Sequence, residues 1–183
     1  MVNKNTNPDF IVVGSGASGA AISWRLGKAG FKVICLEQGP QVNPESYPHT
    51  KQDWEIQAQH EWHSNPNKRS LIEDYPINDQ NSEISPLMFN AVGGSTIHWT
   101  AHAPRFHPSD FRVKTLDGVA DDWPINYQDL EPFYDLNDEM MGCSGINGDP
   151  ANPIRKKRPM PPIPLGEDGT LIAKAFDKLG WHW

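Results

Sequence analysis

Two glycine-rich runs hold the residues of this sequence best suited to chemistry. The first is Gly14-Ser15-Gly16-Ala17-Ser18-Gly19, which follows the apolar run Phe10-Ile11-Val12-Val13 without a gap. It opens a helical pattern carrying Ala20, Ala21, Trp24 and Leu26, and Gly30 supplies the stop. A GxGxxG turn between a strand and a helix is a dinucleotide fingerprint, and each glycine has a physical task. Gly14 permits the tight turn, Gly16 lets backbone come against a pyrophosphate, and Gly19 lets helix and strand pack closely. The first N–H groups of the helix, with its positive dipole end, then face the phosphates. A second apolar run, Phe31 to Leu36, ends on Glu37 and Gln38. A carboxylate there is placed to accept hydrogen bonds from ribose hydroxyls and to repel a 2′-phosphate.

The second run is Asn90-Ala91-Val92-Gly93-Gly94-Ser95-Thr96-Ile97-His98-Trp99. The adjacent glycines Gly93 and Gly94 expose backbone N–H groups. The hydroxyls of Ser95 and Thr96 add donors, a set that suits a phosphate or the edge of a flavin. A βαβ unit at the start of the chain followed by a second glycine motif favours FAD over NAD as the dinucleotide.

The elements that must position these residues define an α/β fold, a Rossmann-like FAD/NAD(P)-binding domain with a parallel sheet. Residues 9–39 form one βαβ unit with a right-handed crossover. Residues 40–85, rich in proline, asparagine and glutamine, read as an irregular insertion, long enough to be functional or to cover a neighbour. Residues 90–99 hold the second glycine motif, so the predicted FAD-binding domain is 1–100. Residues 101–183 read as the loop and helical start of a second, substrate-facing region. Within it a helix is predicted around 129–141, with Pro132 tolerable only in its first turn. A second amphipathic helix carries Leu171, Ile172, Ala175, Phe176 and Leu179 and stops at Gly180. With one clear βαβ unit the sheet is incomplete, and its unpaired edges predict poor stability in isolation.

A net charge of -7 over 183 residues argues against a nucleic-acid partner, whose footprint would be basic. The one basic cluster, Arg155-Lys156-Lys157-Arg158, reads as a solvated loop. The two cysteines, Cys35 and Cys143, have no partner at metal-ligand spacing and read as reduced thiols. No metal site is expected: His102 and His107 read as loop or pocket histidines. Trp24 is expected in the core, and Asp121 and Asp122 in a turn before Trp123-Pro124 rather than as an acid–base pair. The leading residues are polar and the run at Phe10 is too short for a secretory h-region, so no signal peptide is expected. No stretch approaches the ~18 apolar residues of a membrane span. A cytoplasmic location is the default, with export or membrane association through a partner left open.

With both glycine runs in place, the sequence resembles the glucose–methanol–choline (GMC) oxidoreductases. The resemblance continues through Ala103-Pro104-Arg105-Phe106, Asp122-Trp123-Pro124-Ile125, Asp129-Leu130-Glu131-Pro132-Phe133-Tyr134-Asp135, Gly142-Cys143-Ser144-Gly145 and Leu179-Gly180-Trp181-His182. These are similar to the branch of gluconate and sorbitol dehydrogenase large subunits and FAD-dependent glucose dehydrogenases. The resemblance covers most of the chain except 40–85. It implies oxidation of the CH–OH group of a sugar, polyol or other alcohol by hydride transfer to FAD, with a base removing the hydroxyl proton. That base is implied in a His–His or His–Asn pair near the carboxyl end of a longer chain. This sequence is therefore expected to be an amino-terminal fragment with no catalytic residue of its own. The branch further implies an electron-accepting haem subunit or a quinone, while an oxygen-using oxidase stays an alternative. In pyranose oxidase-like relatives a histidine before a tryptophan bonds covalently to the flavin 8α-methyl carbon, and His98 stands at that place. Ser95-Thr96-Ile97 replaces their Met-Ser-Thr, so His98 is either a flavin link or an unlinked pocket histidine. An NAD-linked flavin reductase would need a second GxGxxG unit and a redox-active cysteine pair, both lacking here. A non-enzymatic reading, an inactive FAD-binding module, also remains.

Overall fold

The computed structural model describes residues 7–48, 51–69, 71–74 and 77–182. Part of the polar lead-in, residues 1–6, lies outside the described residues. The chain divides into two compact units, Met1–Ala101 and His102–Trp183.

The first unit begins with β1 (Phe10–Val13), α1 (Ala17–Lys28) and β2 (Val33–Leu36). The two strands pair in parallel, with Phe10 opposite Val33 and Val13 opposite Leu36. β1 falls where the apolar run predicts it. β2 is shorter than the predicted Phe31–Leu36 because Lys32 is used to close the corner. Its carbonyl accepts from Asp9 N at 2.8 Å, and its own N–H donates to Asp9 Oδ2 at 2.8 Å. Phe31 packs edge-on against Phe10, with ring centroids 5.0 Å apart.

α1 ends as Gly30 predicts. The Gly30 N–H bonds to Gly27 O at 3.0 Å and the Phe31 N–H to Leu26 O at 3.1 Å, a Schellman closure that needs the positive φ of +91° at Gly30. Trp24, expected in the core, is 43% exposed and lies under the Lys28 ammonium. The helix turns this face outward among the described residues. The sheet is equally bare, with Val13 84% exposed, and a lone strand pair of this kind is marginal in water.

The described residues between 40 and 85 are largely irregular, with a 3-10 turn (Pro44–Ser46) and two short α-helices, α2 (Trp54–Gln57) and α3 (Pro66–Arg69). They are not featureless. Tyr47, Trp62 and Phe89 form an aromatic chain, with centroids 5.2 Å apart for Tyr47–Trp62 and 5.5 Å for Trp62–Phe89. Phe89 and Ala91 are buried and form the small core of this unit with Asn65 and Arg69. The unit closes with a 3-10 turn at Gly94–His98.

The second unit contains α4 (Val113–Asp117), α5 (Tyr127–Met141) and α6 (Glu167–Leu179). α5 starts two positions before the predicted helix, because Asn126 and Asp129 form a capping box. Pro132 therefore lies past the first turn and inside the helix, where its missing N–H leaves the carbonyl four residues earlier without that partner. The core here is Phe111, Tyr127 and Ala173. The helix α6 forms where it is predicted, but its apolar stripe is not buried: Leu171, Ile172, Ala175 and Leu179 are exposed, Phe176 is half-buried, and the buried residue is Ala173, which lies outside the stripe.

One buried charge network organises this unit. Arg105 donates to Asp135 Oδ1 at 2.9 Å and to Asp138 Oδ2 at 2.6 Å. Arg158 reaches the same Asp138 oxygen at 2.9 Å. The basic cluster is thus only partly a solvated loop: Lys156 is exposed, whereas the Arg158 side chain is 10% exposed. Two acids on successive turns of α5 draw it in. Asp122 is not paired with Asp121. Its carboxylate accepts from Thr115 N and Oγ1, and the Thr115 hydroxyl bond is the main reason its pKa is lowered.

Candidate functional site

The first unit brings the two glycine runs into direct contact. Gly14 sits at φ +86° and donates its N–H to Leu36 O at 2.7 Å, so the chain leaves β1 still tied to β2. Gly19 has no room for a side chain: a Cβ there would lie 1.9 Å from Gly14 O. Gly16 is the opposite case, with nothing within 4 Å of an added Cβ. One glycine packs helix on strand and the other keeps a space open beside the helix start.

Gly16 caps α1 without a side-chain bond, and no acid stands in the first turn. The N–H groups at Ala17, Ser18 and Gly19 therefore have no intrahelical acceptor. Together with the dipole they make an anion-binding end.

Ser15 is the junction. Its N–H and its hydroxyl both donate to Glu37 Oε2, at 2.7 and 2.6 Å. The same hydroxyl oxygen accepts from Gly93 N at 2.9 Å. Gly39 N donates to the other Glu37 oxygen at 2.9 Å. These bonds, that from Gly39 first and those from Ser15 next, lower the Glu37 pKa to about 2. Glu37 thus stands at the end of β2 as an ionised group that ties the first turn to the loop after β2. Gln38, beside it, is exposed.

The second run closes over this junction. Gly39 is buried, and a Cβ on it would lie 2.2 Å from Ala91 N. Val92 N donates to Pro40 O at 3.0 Å. Gly93 and Gly94 take φ of +93° and +57°, and a Cβ on Gly94 would come 3.7 Å from Gly16 Cα. Of the two hydroxyls expected to serve a ligand, Thr96 spends its proton within the turn, whereas Ser95 acts there as an acceptor. Ser95 Oγ accepts from Phe89 N at 3.2 Å, and Thr96 Oγ1 donates to Gly93 O at 2.6 Å.

His98 ends the turn, half-buried, with its ring edge-on to Phe89 at 4.8 Å between centroids. Its Nε2 is buried without a hydrogen-bond partner. Burial first, then the charges of Arg69 and His63, lowers its pKa. Beside it runs a cleft of about 330 Å³, lined chiefly by Tyr47, Trp54, Trp62, Ile97, His98 and Trp99. Sequence reasoning missed the part of this site contributed by Tyr47, Trp54 and Trp62. The signal was there: three large aromatic residues, Tyr47, Trp54 and Trp62, in a stretch otherwise too polar to need them. His102 and His107 lie in the second unit, where His107 caps a 3-10 turn through Asp110. Among the described residues no group of three or more His, Cys, Asp or Glu could hold a metal ion, and no helix is long and apolar enough to cross a membrane.

Fold and site together define an α/β chain with a Rossmann-like dinucleotide-binding unit. Residues 12–75 match the NAD(P)-binding Rossmann-like domain family. Three relatives match nearly all of this chain. It is 45% identical to 2-methyl-1,2-propanediol dehydrogenase of Mycolicibacterium austroafricanum over 100% of its length, covering 33% of that protein. It is 27% identical to the fructose dehydrogenase large subunit of Gluconobacter japonicus over 99% of its length, covering 36%. It is 22% identical to the gluconate 2-dehydrogenase flavoprotein of Pantoea cypripedii over 100% of its length, covering 35%. The chain is homologous to part of the GMC-type dehydrogenases, the family its motifs resemble. It spans about a third of the length of the curated relatives it matches.

Proposed function

We propose that residues 1–100 bind FAD and that the protein oxidises the CH–OH group of an alcohol, polyol or sugar. The observation that carries this reading is the Gly93–Ser15–Glu37 bond chain, which draws two glycine turns together around the open space at Gly16. A single dinucleotide turn needs no second glycine loop closing on it. A second loop adds bare backbone beside the first turn, which supports a cofactor that reaches beyond that turn, as FAD does.

The residues fit that cofactor. Gly16 leaves open space at the start of α1, and among the described residues His98 Nε2 is a buried polar atom without a hydrogen-bond partner. Gly14, Ser15, Gly16, Ala17, Ser18 and Gly19 would hold the pyrophosphate at the start of α1. Glu37 and Gln38 would meet the ribose, and the ionised Glu37 disfavours a 2′-phosphate by charge repulsion. Gly93, Gly94, Ser95 and Thr96 would line the flavin end, with His98 as the residue for a covalent attachment. When bound, FAD supplies the hydride acceptor. No residue of this chain is assigned as the base that takes the hydroxyl proton.

The names of the relatives support the substrate class, a diol, a sugar and a sugar acid. One of those names denotes a large subunit, which supports a partner subunit, and another denotes a flavoprotein, which supports the flavin. Residues 101–183 are proposed as the lead into a substrate-facing region. The test is anaerobic mixing of the flavin-loaded full-length protein with diols, polyols and sugars. Bleaching of the flavin absorbance, with dye reduction at the same rate, is expected. Absence of bound flavin, or no bleaching by any CH–OH compound, sinks the reading. Fast reoxidation in air with stoichiometric peroxide makes the protein an oxidase instead of a dehydrogenase.

A further inference from the structure

Arg69 stands at the end of α3, in the stretch with no sequence periodicity. Its guanidinium is almost dry: the side chain is 1% exposed and that of its partner Asp74 is 7% exposed. Nε and Nη2 donate to the two Asp74 oxygens at 2.8 and 2.6 Å. Nη1 donates to the carbonyls of His63 and Met88. The guanidinium carbon also lies 4.5 Å from the centroid of the Phe89 ring. Phe89 in turn meets His98 edge-on at 4.8 Å.

A buried ion pair is poor value as a source of stability, because desolvating two charges cancels most of the attraction between them. What the pair does supply is geometry. The planar fork of arginine fixes two carboxylate oxygens, two backbone carbonyls and one aromatic face at once, which lysine cannot do. Both ends of that fork lie on segments that meet at the second glycine turn. Met88 N donates to Ser64 O at 2.8 Å, and Asn90 Nδ2 donates to Glu73 O at 2.7 Å, so the chain at Ser64 and at Glu73 runs against 88–90.

We propose that Arg69 is a positioning residue: through Phe89 and the Met88 carbonyl it fixes the chain entering the second glycine turn and holds the His98 imidazole in one orientation. The importance of that orientation rests on the FAD reading above, whereas the geometry stands without it. Two charged or titratable groups act on His98, Arg69 and His63, and Asp74 is reached through Arg69. A cation fixed nearby also opposes protonation of the imidazole, so His98 is kept neutral with a lone pair to offer.

The test uses full-length protein labelled at histidine, with and without added FAD, and the variants Arg69→Lys, Arg69→Met and Asp74→Asn. The His98 imidazole cross-peak is assigned by its loss in His98→Gln. The wild-type midpoint is expected below the ordinary histidine range. Arg69→Met should move the cross-peak and raise the midpoint. Arg69→Lys keeps the charge but loses the fork, so it should move the cross-peak and fail to restore it to the wild-type position. A merely structural role lowers the melting temperature while leaving the His98 peak and midpoint in place in Arg69→Lys, and that result overturns the proposal. If Arg69→Met does not fold, Arg69→Lys and Asp74→Asn decide on the same signal. If the wild type takes up no FAD, the functional reading fails while the His98 signal still decides the role of Arg69.

Discussion

The backbone N–H of Gly93 donates to the hydroxyl oxygen of Ser15 at 2.9 Å, joining residues 78 positions apart in the chain. The Ser15 hydroxyl itself donates to Glu37 Oε2 at 2.6 Å. One small side chain thus connects both glycine turns and the end of β2.

Ser15→Ala removes the acceptor for Gly93 N and one of the three donors to Glu37. Two lost hydrogen bonds, one to a charged group, are expected to cost about 1–3 kcal/mol. FAD affinity measured by equilibrium dialysis should fall ~5–100-fold. An unchanged affinity would show that the junction does not shape the cofactor site.

Gly19→Ala and Gly27→Ala form a matched pair on α1. A Cβ at Gly19 would lie 1.9 Å from Gly14 O, while one at Gly27 meets nothing within 4 Å. The first should destabilise by at least about 2–3 kcal/mol, since backbone must move to relieve it. The second should stabilise by about 0.4–1 kcal/mol by restricting the unfolded chain. Denaturant midpoints of both variants would check this, and equal effects would refute it.

The folded-state pKa of Glu37 lies near 2, below its ordinary value of 4.5. Its bonds therefore contribute their full stability above about pH 4.5 and lose it as pH falls towards about 2. The stability difference between wild type and Glu37→Gln should be flat from pH 6 to 8 and shrink below about pH 4.5. A gap that widened on acidification would reverse the assignment.

If His98 carries the flavin, acid-denatured full-length protein retains its yellow colour after washing, and His98→Ala loses it. Colour that washes out of the wild type makes His98 an unlinked pocket histidine.

In the second unit, Arg105→Met leaves Asp138 buried with only Arg158. Removing one partner of such a network is expected to cost about 3–5 kcal/mol. Lys156, 80% exposed and 3.5 Å from Asp135, should be replaceable by alanine within about 0.5 kcal/mol. Thermal melts of the two variants measure the contrast.

The βαβ unit was legible because its signals are local. Apolar runs, a glycine stop and a glycine turn all act within a few residues of each other, and β1 and the end of α1 fall where those signals lie. The contact between the two glycine turns was not legible, because GxGxxG and Gly93-Gly94 each read alone as a donor surface. Only the fold shows Gly93 spending its N–H on Ser15, and Ser95 and Thr96 holding their own turn. Arg69 and Arg158 were obscured for a different reason. A charged residue in a polar stretch looks solvated unless its partner is known, and Asp74 and Asp138 declare themselves only in three dimensions. Trp24 shows the reverse error, an apolar position on a helical face that the described residues leave uncovered.

Gly39 imposes a restriction of another kind. The atoms that a Cβ there would strike are the N and Cα of Ala91, at 2.2 and 2.4 Å, and both belong to backbone. Trimming the side chain of residue 91 therefore cannot make room for a larger residue at 39. Descendants of this sequence must keep the bare crossing itself or rebuild the path of the chain.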